Sequence, residues 1–355
     1  MTRAVSWKQV ALGDICEFRY GKSLRAADRS GTGFPVYGSN GVVGQNAAPL
    51  TSGLTIIVGR KGSFGEVHLS DGPCWPIDTT YYIDAEASGV DLRWLAYSLR
   101  QLGLTSLNRA AAVPGLNRED AYRQRLLLPP RDEQRRIAQI LDLADGLRAK
   151  RRSAVRNVEA LPTSTFMRLF AGSARSSTWP LHPLGDLVEN QDSRRVPLKA
   201  SDRANRSGPF PYYGASGEID RVNDYIFEGE RLLIAEDGAN LVARTSPIAF
   251  FARGRFWVNN HAHVVAATDS LDLHYLQRYL ELTDLGPFIT GTAQPKLNRS
   301  NLDRMLIPTP PMSQQREFAR VVGKASHAAD AHRAHLAQLD ALFFSLESRA
   351  FASEI

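Results

Sequence analysis

The chain repeats itself, in order, over most of its 355 residues. Trp7-Lys-Gln-Val-Ala-Leu-Gly-Asp14 returns as Trp179-Pro-Leu-His-Pro-Leu-Gly-Asp186, 172 residues later. Phe34-Pro-Val-Tyr-Gly38 with Gly41 returns as Phe210-Pro-Tyr-Tyr-Gly214 with Gly217, and Gly62 matches Gly238, both 176 residues on. Trp75 pairs with Trp257, and the offset then settles at 181. Asp91-Leu-Arg-Trp-Leu95 matches Asp272-Leu-His-Tyr-Leu276, and Leu116-Asn117-Arg118 matches Leu297-Asn298-Arg299. Pro129-Pro-Arg-Asp-Glu-Gln-Arg135 matches Pro310-Pro-Met-Ser-Gln-Gln-Arg316. Order that persists while only loop lengths drift marks an internal duplication. It restricts the fold to two similar modules with a pseudo-twofold relation.

Each repeat opens β-rich with Gly turns: Leu54–Val58 and Thr79–Ile83 in the first, Arg231–Ala235 and Ala262–Val265 in the second. A short helix follows, Leu92–Leu102 and Leu273–Leu282, and a Pro-Pro pair then introduces a long helical pattern. The first long helix is predicted over Asp132–Phe170, with a seam at Ile137, Ile140, Ala144, Leu147, Arg151, Ala154, Val158 and Leu161. The second, Ser313–Phe351, has its seam at Phe318, Val322, Ala325, Ala329, His332, Leu336, Leu339, Phe343 and Leu346. Steps of three and four residues sustained over several heptads are a coiled-coil pattern. Thirty-nine helical residues span about 58 Å, and Gly146 and Pro162 are places where the first helix would bend or split. Neither helix has a core of its own, so each is expected to pack on the other and act as a spacer. The predicted segments are 1–131, 132–171, 172–311 and 312–355.

Charge gives less than its total of +6 suggests. Residues 1–131 carry +4 and 132–171 carry +3, whereas 172–311 carry −1 and 312–355 are neutral. No segment is a basic tail, so any nucleic-acid contact has to come from folded surfaces. No apolar run approaches the roughly 18 residues of a membrane span, and Met1–Lys8 lacks the apolar stretch of an export signal. Two cysteines, Cys16 and Cys74, are too few for a disulfide framework. A cytoplasmic protein without a membrane association is expected.

Several chemistries lack their residues. Gly21-Lys22-Ser23 resembles the end of a phosphate loop, but Cys16 stands where its first glycine belongs. No lysine has a carboxylate two positions before it, the common arrangement of a metal-dependent nuclease, and neither Pro-Pro pair follows Asp or Asn, as amine methylation requires. Asn260-His261-Ala-His263 would place both imidazoles on one strand face, with Asp237 within reach. Base contacts or simple packing fit that pair better than a metal or catalytic role. His332 and His335, one helical turn apart, read as packing. No catalytic, metal or cofactor residue is assigned.

A reader of DNA needs phosphate donors and planar base-edge groups on loops of a rigid module. The first module offers Lys22, Arg25, Arg29, Asn40 beside Ser39, Arg109 beside Asn108, and the glycine-bounded turn Gly59-Arg60-Lys61-Gly62-Ser63-Phe64-Gly65. The second offers Arg194, Arg195, Lys199, Arg203 and Arg206, then Arg244, Arg253, Arg255, His261, His263 and Lys296. Leu116-Asn117 and Leu297-Asn298 read as structural turns. The framework motifs repeat while residues 59–70 and 236–253 diverge, which suits one scaffold carrying two different reading loops. Such a molecule would recognise a split, asymmetric sequence about one duplex turn or less apart.

On Trp7…Leu12-Gly-Asp14, Phe34-Pro-Val-Tyr-Gly-Ser-Asn-Gly41, the Gly59–Gly65 turn, and residues 128–138 with their partner 308–319, the chain resembles the specificity subunit of type I restriction–modification systems. The resemblance implies a mixed α/β fold: two β-rich target-recognition domains joined by a long antiparallel two-helix coiled coil. It implies a non-catalytic subunit that reads a bipartite site in double-stranded DNA and holds no cofactor. Its partners would be two modification subunits, methyltransferases that bind S-adenosylmethionine, and two ATP-dependent restriction subunits. Gln134, Arg135, Arg136, Gln315 and Arg316, at the Pro-Pro elbows, are the candidates for docking them. The second module departs from the pattern with Glu236-Asp237-Gly238 in place of the Arg-Lys turn, which would accept from cytosine N4 or cap a turn. A protein-only scaffold, or the recognition subunit of a methylation-only or type II-like system, is the alternative.

Overall fold

The computed structural model describes residues 7–107, 115–171, 179–291 and 293–352. It divides into two units, Met1–Arg152 with His335–Ile355, and Ser153–Ala334, so that the boundary falls within both long helices.

The first unit is built around a four-stranded antiparallel sheet in the order Arg19–Tyr20, Thr80–Ile83, Thr55–Gly59, Val67–Ser70. Thr55–Gly59 is buried along its whole length because the sheet is covered on both faces. A second sheet pairs Phe34–Gly38 with Gly41–Asn46 and, in parallel, with Trp75–Pro76. A ribbon of Lys8–Ala11 on Arg125–Leu128 closes the module. The helix Leu92–Gln101 starts where Asp91 accepts the N–H groups of Arg93 and Trp94, both at 3.0 Å. It buries Trp94, Leu95 and Leu99 in one core with Phe18, Ile56 and Ile83.

The second unit repeats this plan. Its central sheet runs Glu189–Asn190, Ala262–Ala266, Arg231–Ala235, Ala249–Ala252. Its other sheet joins Gly217–Val222, Ser207–Gly214, Arg255–Val258 and Phe227–Glu228, and Leu181–Pro183 pairs with Leu306–Pro308. Asp272 caps the helix Leu273–Leu282 as Asp91 caps its counterpart. Trp75 and Trp257 occupy matching parallel bridges, opposite Val36 and Tyr212, and each indole donates to a backbone carbonyl, of Lys22 at 2.8 Å and of Val196 at 2.6 Å.

The long helices are Arg131–Phe166 and Met312–Phe351. The first is not split at Gly146 or Pro162, and its last turn, Met167–Ala171, is π-helical. Within each unit they run antiparallel: Arg148 bonds Asp340 in the first, and Phe166 lies against Phe318 in the second. The second seam follows the expected positions, with Phe318, Ala325, Ala329 and Phe343 buried. The first follows them only at its start: Ile137 and Ala144 are buried as expected, along with Gln134, Ala138 and Leu141, while Leu147 and Leu161 are each 45% exposed. The stripe is turned because it packs on Trp94 and Leu95 of the short helix as well as on Phe343. Arg148 takes the place expected of Leu147, its guanidinium 4.2 Å above the Phe343 ring and 2.7 Å from Asp340. His335 is exposed and not packed. No helix among the described residues is long and apolar enough to cross a membrane.

Candidate nucleic-acid interface

The turn after Thr55–Gly59 closes on itself. Gly65 N–H donates to Gly59 O at 2.8 Å, and a Cβ on Gly59 would stand 2.1 Å from Ser63 O. Gly59 is therefore demanded by the turn's own closure, not by an approaching anion. Arg60 and Lys61 part company here. Lys61 is exposed and lines, with Ser39, Asn40 and Ser63, an open cleft of about 390 Å³. Arg60 folds back: its Nε and Nη2 donate to Asp78 O at 3.2 and 2.6 Å, and its guanidinium lies 5.3 Å from the Tyr20 ring.

Arg118 lies 5.6 Å from the same ring, so Tyr20, itself 54% exposed, is bracketed by two guanidiniums. Tyr20 also packs on Tyr81 at 5.2 Å. Burial pushes the Tyr81 phenol up to about 12, with Tyr20 adding to the rise and the two arginines opposing it. Sequence reasoning missed Tyr20 and Arg118 as interface residues, because they are far apart in the chain and no local motif joins them.

Lys22 is exposed beside Tyr20. Arg25 is exposed and paired with Asp28 at 2.8 Å. Arg29 is structural: it donates to Val43 O and Leu24 O and ties the loop to the neighbouring strand. Arg109 lies outside the described residues.

In the second module, register superimposes Glu236 on Arg60 and Asp237 on Lys61. Leu116 N–H donates to Arg60 O at 2.9 Å and Leu297 N–H to Glu236 O at 2.8 Å. Tyr81 stands opposite Val58 and His263 opposite Ile234, and each side chain reaches the next framework carbonyl, Leu116 O at 3.3 Å and Leu297 O at 2.8 Å. The same place is cationic and aromatic in one module and carries two carboxylates, one of them ion-paired, in the other.

His263 corrects the sequence reading. It is fully buried, with Nδ1 2.6 Å from Asp192 and Nε2 2.8 Å from Leu297 O, so both ring nitrogens are partnered inside the module. The strand begins at Ala262, so His261 sits in the preceding turn, half exposed, and does not share a face with His263. Arg195 is also internal, bonded to Glu236 at 2.7 Å and to Ala262 O. Asp192, Glu236 and His263 offer metal-ligand atoms within 4.8 Å of one another. Arg195 and Lys296, the latter 3.2 Å from Glu236, already neutralise those carboxylates, so the donor set fits an ion-pair network and not a metal.

Arg244 is likewise structural, donating to the carbonyls of Leu280, Glu281 and Thr283 at the end of a helix. Arg203 bonds Asp220 and Leu198 O. Arg194, Arg253 and Arg255 are more exposed, lying over Phe227, Phe251 and Tyr225. Lys199 is exposed. Asn117 and Asn298 cap short helices, accepting from Glu119 N–H and Asn301 N–H, as expected of structural turns.

Gln134 and Gln315 are corrected too. Both are buried and bonded inside their modules, so they face no partner. Arg135, Arg136 and Arg316 remain on the outer face.

A family model described as the type I restriction modification DNA specificity domain matches residues 4–155 and 176–340. A Haemophilus influenzae protein named as a type I restriction enzyme specificity subunit is 37% identical over 158 residues, 44% of this chain and 39% of that one. The EcoprrI specificity subunit of Escherichia coli is 26% identical over 149 residues, 40% of this chain and 37% of its own. The matches thus span about two fifths of these relatives. Among solved structures, a type I restriction–modification S subunit from M. genitalium has a TM-score of 0.72 at 17% identity, over 99% of this chain and 97% of that one. A chain from a type I system studied for its assembly and conformational transition has a TM-score of 0.55 at 16% identity, over 99% of both. At such identities the likeness is one of fold.

Proposed function

The chain belongs to the type I restriction–modification DNA specificity family, and from that premise we propose that its modules each read one half of a bipartite, asymmetric site in double-stranded DNA. The observation that carries this is the pair of equivalent turns: on one framework the first module exposes Lys61 where the second carries Asp237, which among the described residues pairs with no guanidinium or ammonium. Modules that only gripped phosphate would gain nothing from opposite charges at one place. Base edges, which differ in donor and acceptor pattern, reward them.

By this reading the chain has no reaction of its own and lends specificity to a DNA adenine methyltransferase and an ATP-dependent endonuclease. The long helices dock two modification subunits, which bind S-adenosylmethionine, and two ATP-dependent restriction subunits join them, in the cytoplasm. Arg135, Arg136 and Arg316 are the remaining docking candidates. Light scattering of the saturated complex should give two modification subunits per chain; a single one contradicts the duplicated docking. Mapping of methylated bases in DNA modified by that complex should give two specified blocks around an unspecified spacer. One continuous motif contradicts the bipartite reading.

A further inference from the structure

We propose that Asp237, positioned by His261, fixes one base of the second module's half-site by accepting a hydrogen bond from the exocyclic amine of a cytosine. This rests on the DNA-reading role above and specifies its chemistry.

Place comes first. Asp237 follows Glu236 as Lys61 follows Arg60, on turns held by the same backbone bond from Leu297 or Leu116. Lys61 lines the open cleft of the first module, and Asp237 takes the equivalent backbone place in the second, its side chain 14% exposed. The neighbouring carboxylate is about as covered but is already neutralised: the Glu236 side chain, 12% exposed, pairs with Arg195 at 2.7 Å and Lys296 at 3.2 Å.

Asp237 is held differently. Its two oxygens lie 3.0 and 2.8 Å from Nδ1 of His261, whose side chain is 47% exposed, and among the described residues no guanidinium or ammonium pairs with it. The bond to Nδ1 uses only part of the carboxylate's lone pairs, so Asp237 remains an acceptor. Facing a polyanion, that arrangement is unfavourable unless a base supplies the donor. In the major groove guanine shows only acceptors, thymine shows O4 and a methyl, and adenine sets its N7 acceptor beside N6. Cytosine presents its N4 amine with no acceptor on its own major-groove edge, and is the base that fits.

The test uses the full chain assembled with its modification subunits, in equilibrium competition among duplexes carrying each base pair in turn at every specified position. Asp237→Asn should reduce preference for a C·G pair at one position of one half-site by at least about fivefold. His261→Ala should weaken the same position, and His261→Asn, which keeps a donor near Nδ1, should restore most of it. Preferences in the other half-site should stay within about twofold of wild type, which reports intact folding and assembly. An unchanged profile for Asp237→Asn overturns the assignment. So does an effect at a position other than C·G, or loss of preference in both halves. A wild-type complex with no sequence preference at all overturns instead the reading on which this rests.

Discussion

Gln134 and Gln315 make the same pair of hydrogen bonds in the two modules. Gln134 accepts the N–H of Asp91 at 2.8 Å and donates to Pro129 O at 2.8 Å. Gln315 accepts the N–H of Asp272 at 2.9 Å and donates to Pro310 O at 2.8 Å. Each fixes the start of its long helix to the cap of its short one. Replacing either by Ala leaves an amide and a carbonyl without partners, at about 1–3 kcal/mol per group that water does not reach. Gln134→Ala and Gln315→Ala should each lower the denaturation midpoint measured by circular dichroism. Midpoints unchanged from wild type would show that the bonds do not hold the elbow.

Asp192 gives the second module a pH dependence. Burial raises its carboxyl, but the hydrogen bond and charge of His263, the Val264 N–H and Arg195 outweigh that and hold it below the usual aspartate range. A depressed carboxylate contributes stability above its unfolded value, about 3.9, and loses that contribution as pH falls through the folded value. Asp192→Asn removes the carboxylate partner of the buried His263 and should cost about 3–5 kcal/mol near pH 7. The gap to wild type in chemical denaturation should narrow below about pH 4. A gap that stays constant with pH contradicts the network.

Cys16 and Cys74 are buried and free. Burial pushes the Cys16 thiol up to about 12, so little nucleophilic thiolate exists near neutrality. A chromogenic thiol reagent at pH 8 should leave the native chain unmodified and titrate both cysteines in denaturant. Rapid modification of the native chain would contradict the burial.

The framework was legible in the sequence because its residues carry position-specific demands. Asp91 and Asp272 mark helix starts, and the Pro-Pro pairs mark the elbows. The short helix Leu273–Leu282 falls where its pattern predicts. The second seam was legible for the same reason. The first was legible only at Ile137 and Ala144, since the burial of Ala138 and Leu141 is set by a surface that arrives from the module and leaves no periodic trace of its own. At the candidate interface the Arg60-Lys61 turn could be found from its glycines, and the structure puts Asn40, Lys61 and Ser63 on one cleft. What escaped were relations between distant residues. Tyr20 lies between Arg60 and Arg118 only after folding, and Arg195 and His263, polar enough to suggest a surface, are spent on Asp192 and Glu236.

The central claim is that each module reads its own half-site through loops on a shared framework. Its most direct test is methylated-base mapping of DNA modified by the reconstituted complex, comparing wild type with Arg60→Ala/Lys61→Ala. Removing two cations should weaken binding and flatten its salt dependence by up to about two units if they meet phosphates. If one of them reads a guanine, discrimination at one position should relax by about 1–3 kcal/mol. In either case the wild-type motif should be bipartite, with any change in base preference confined to one half. A change confined to the half that Asp237→Asn alters, or a motif that is not divided, would contradict it.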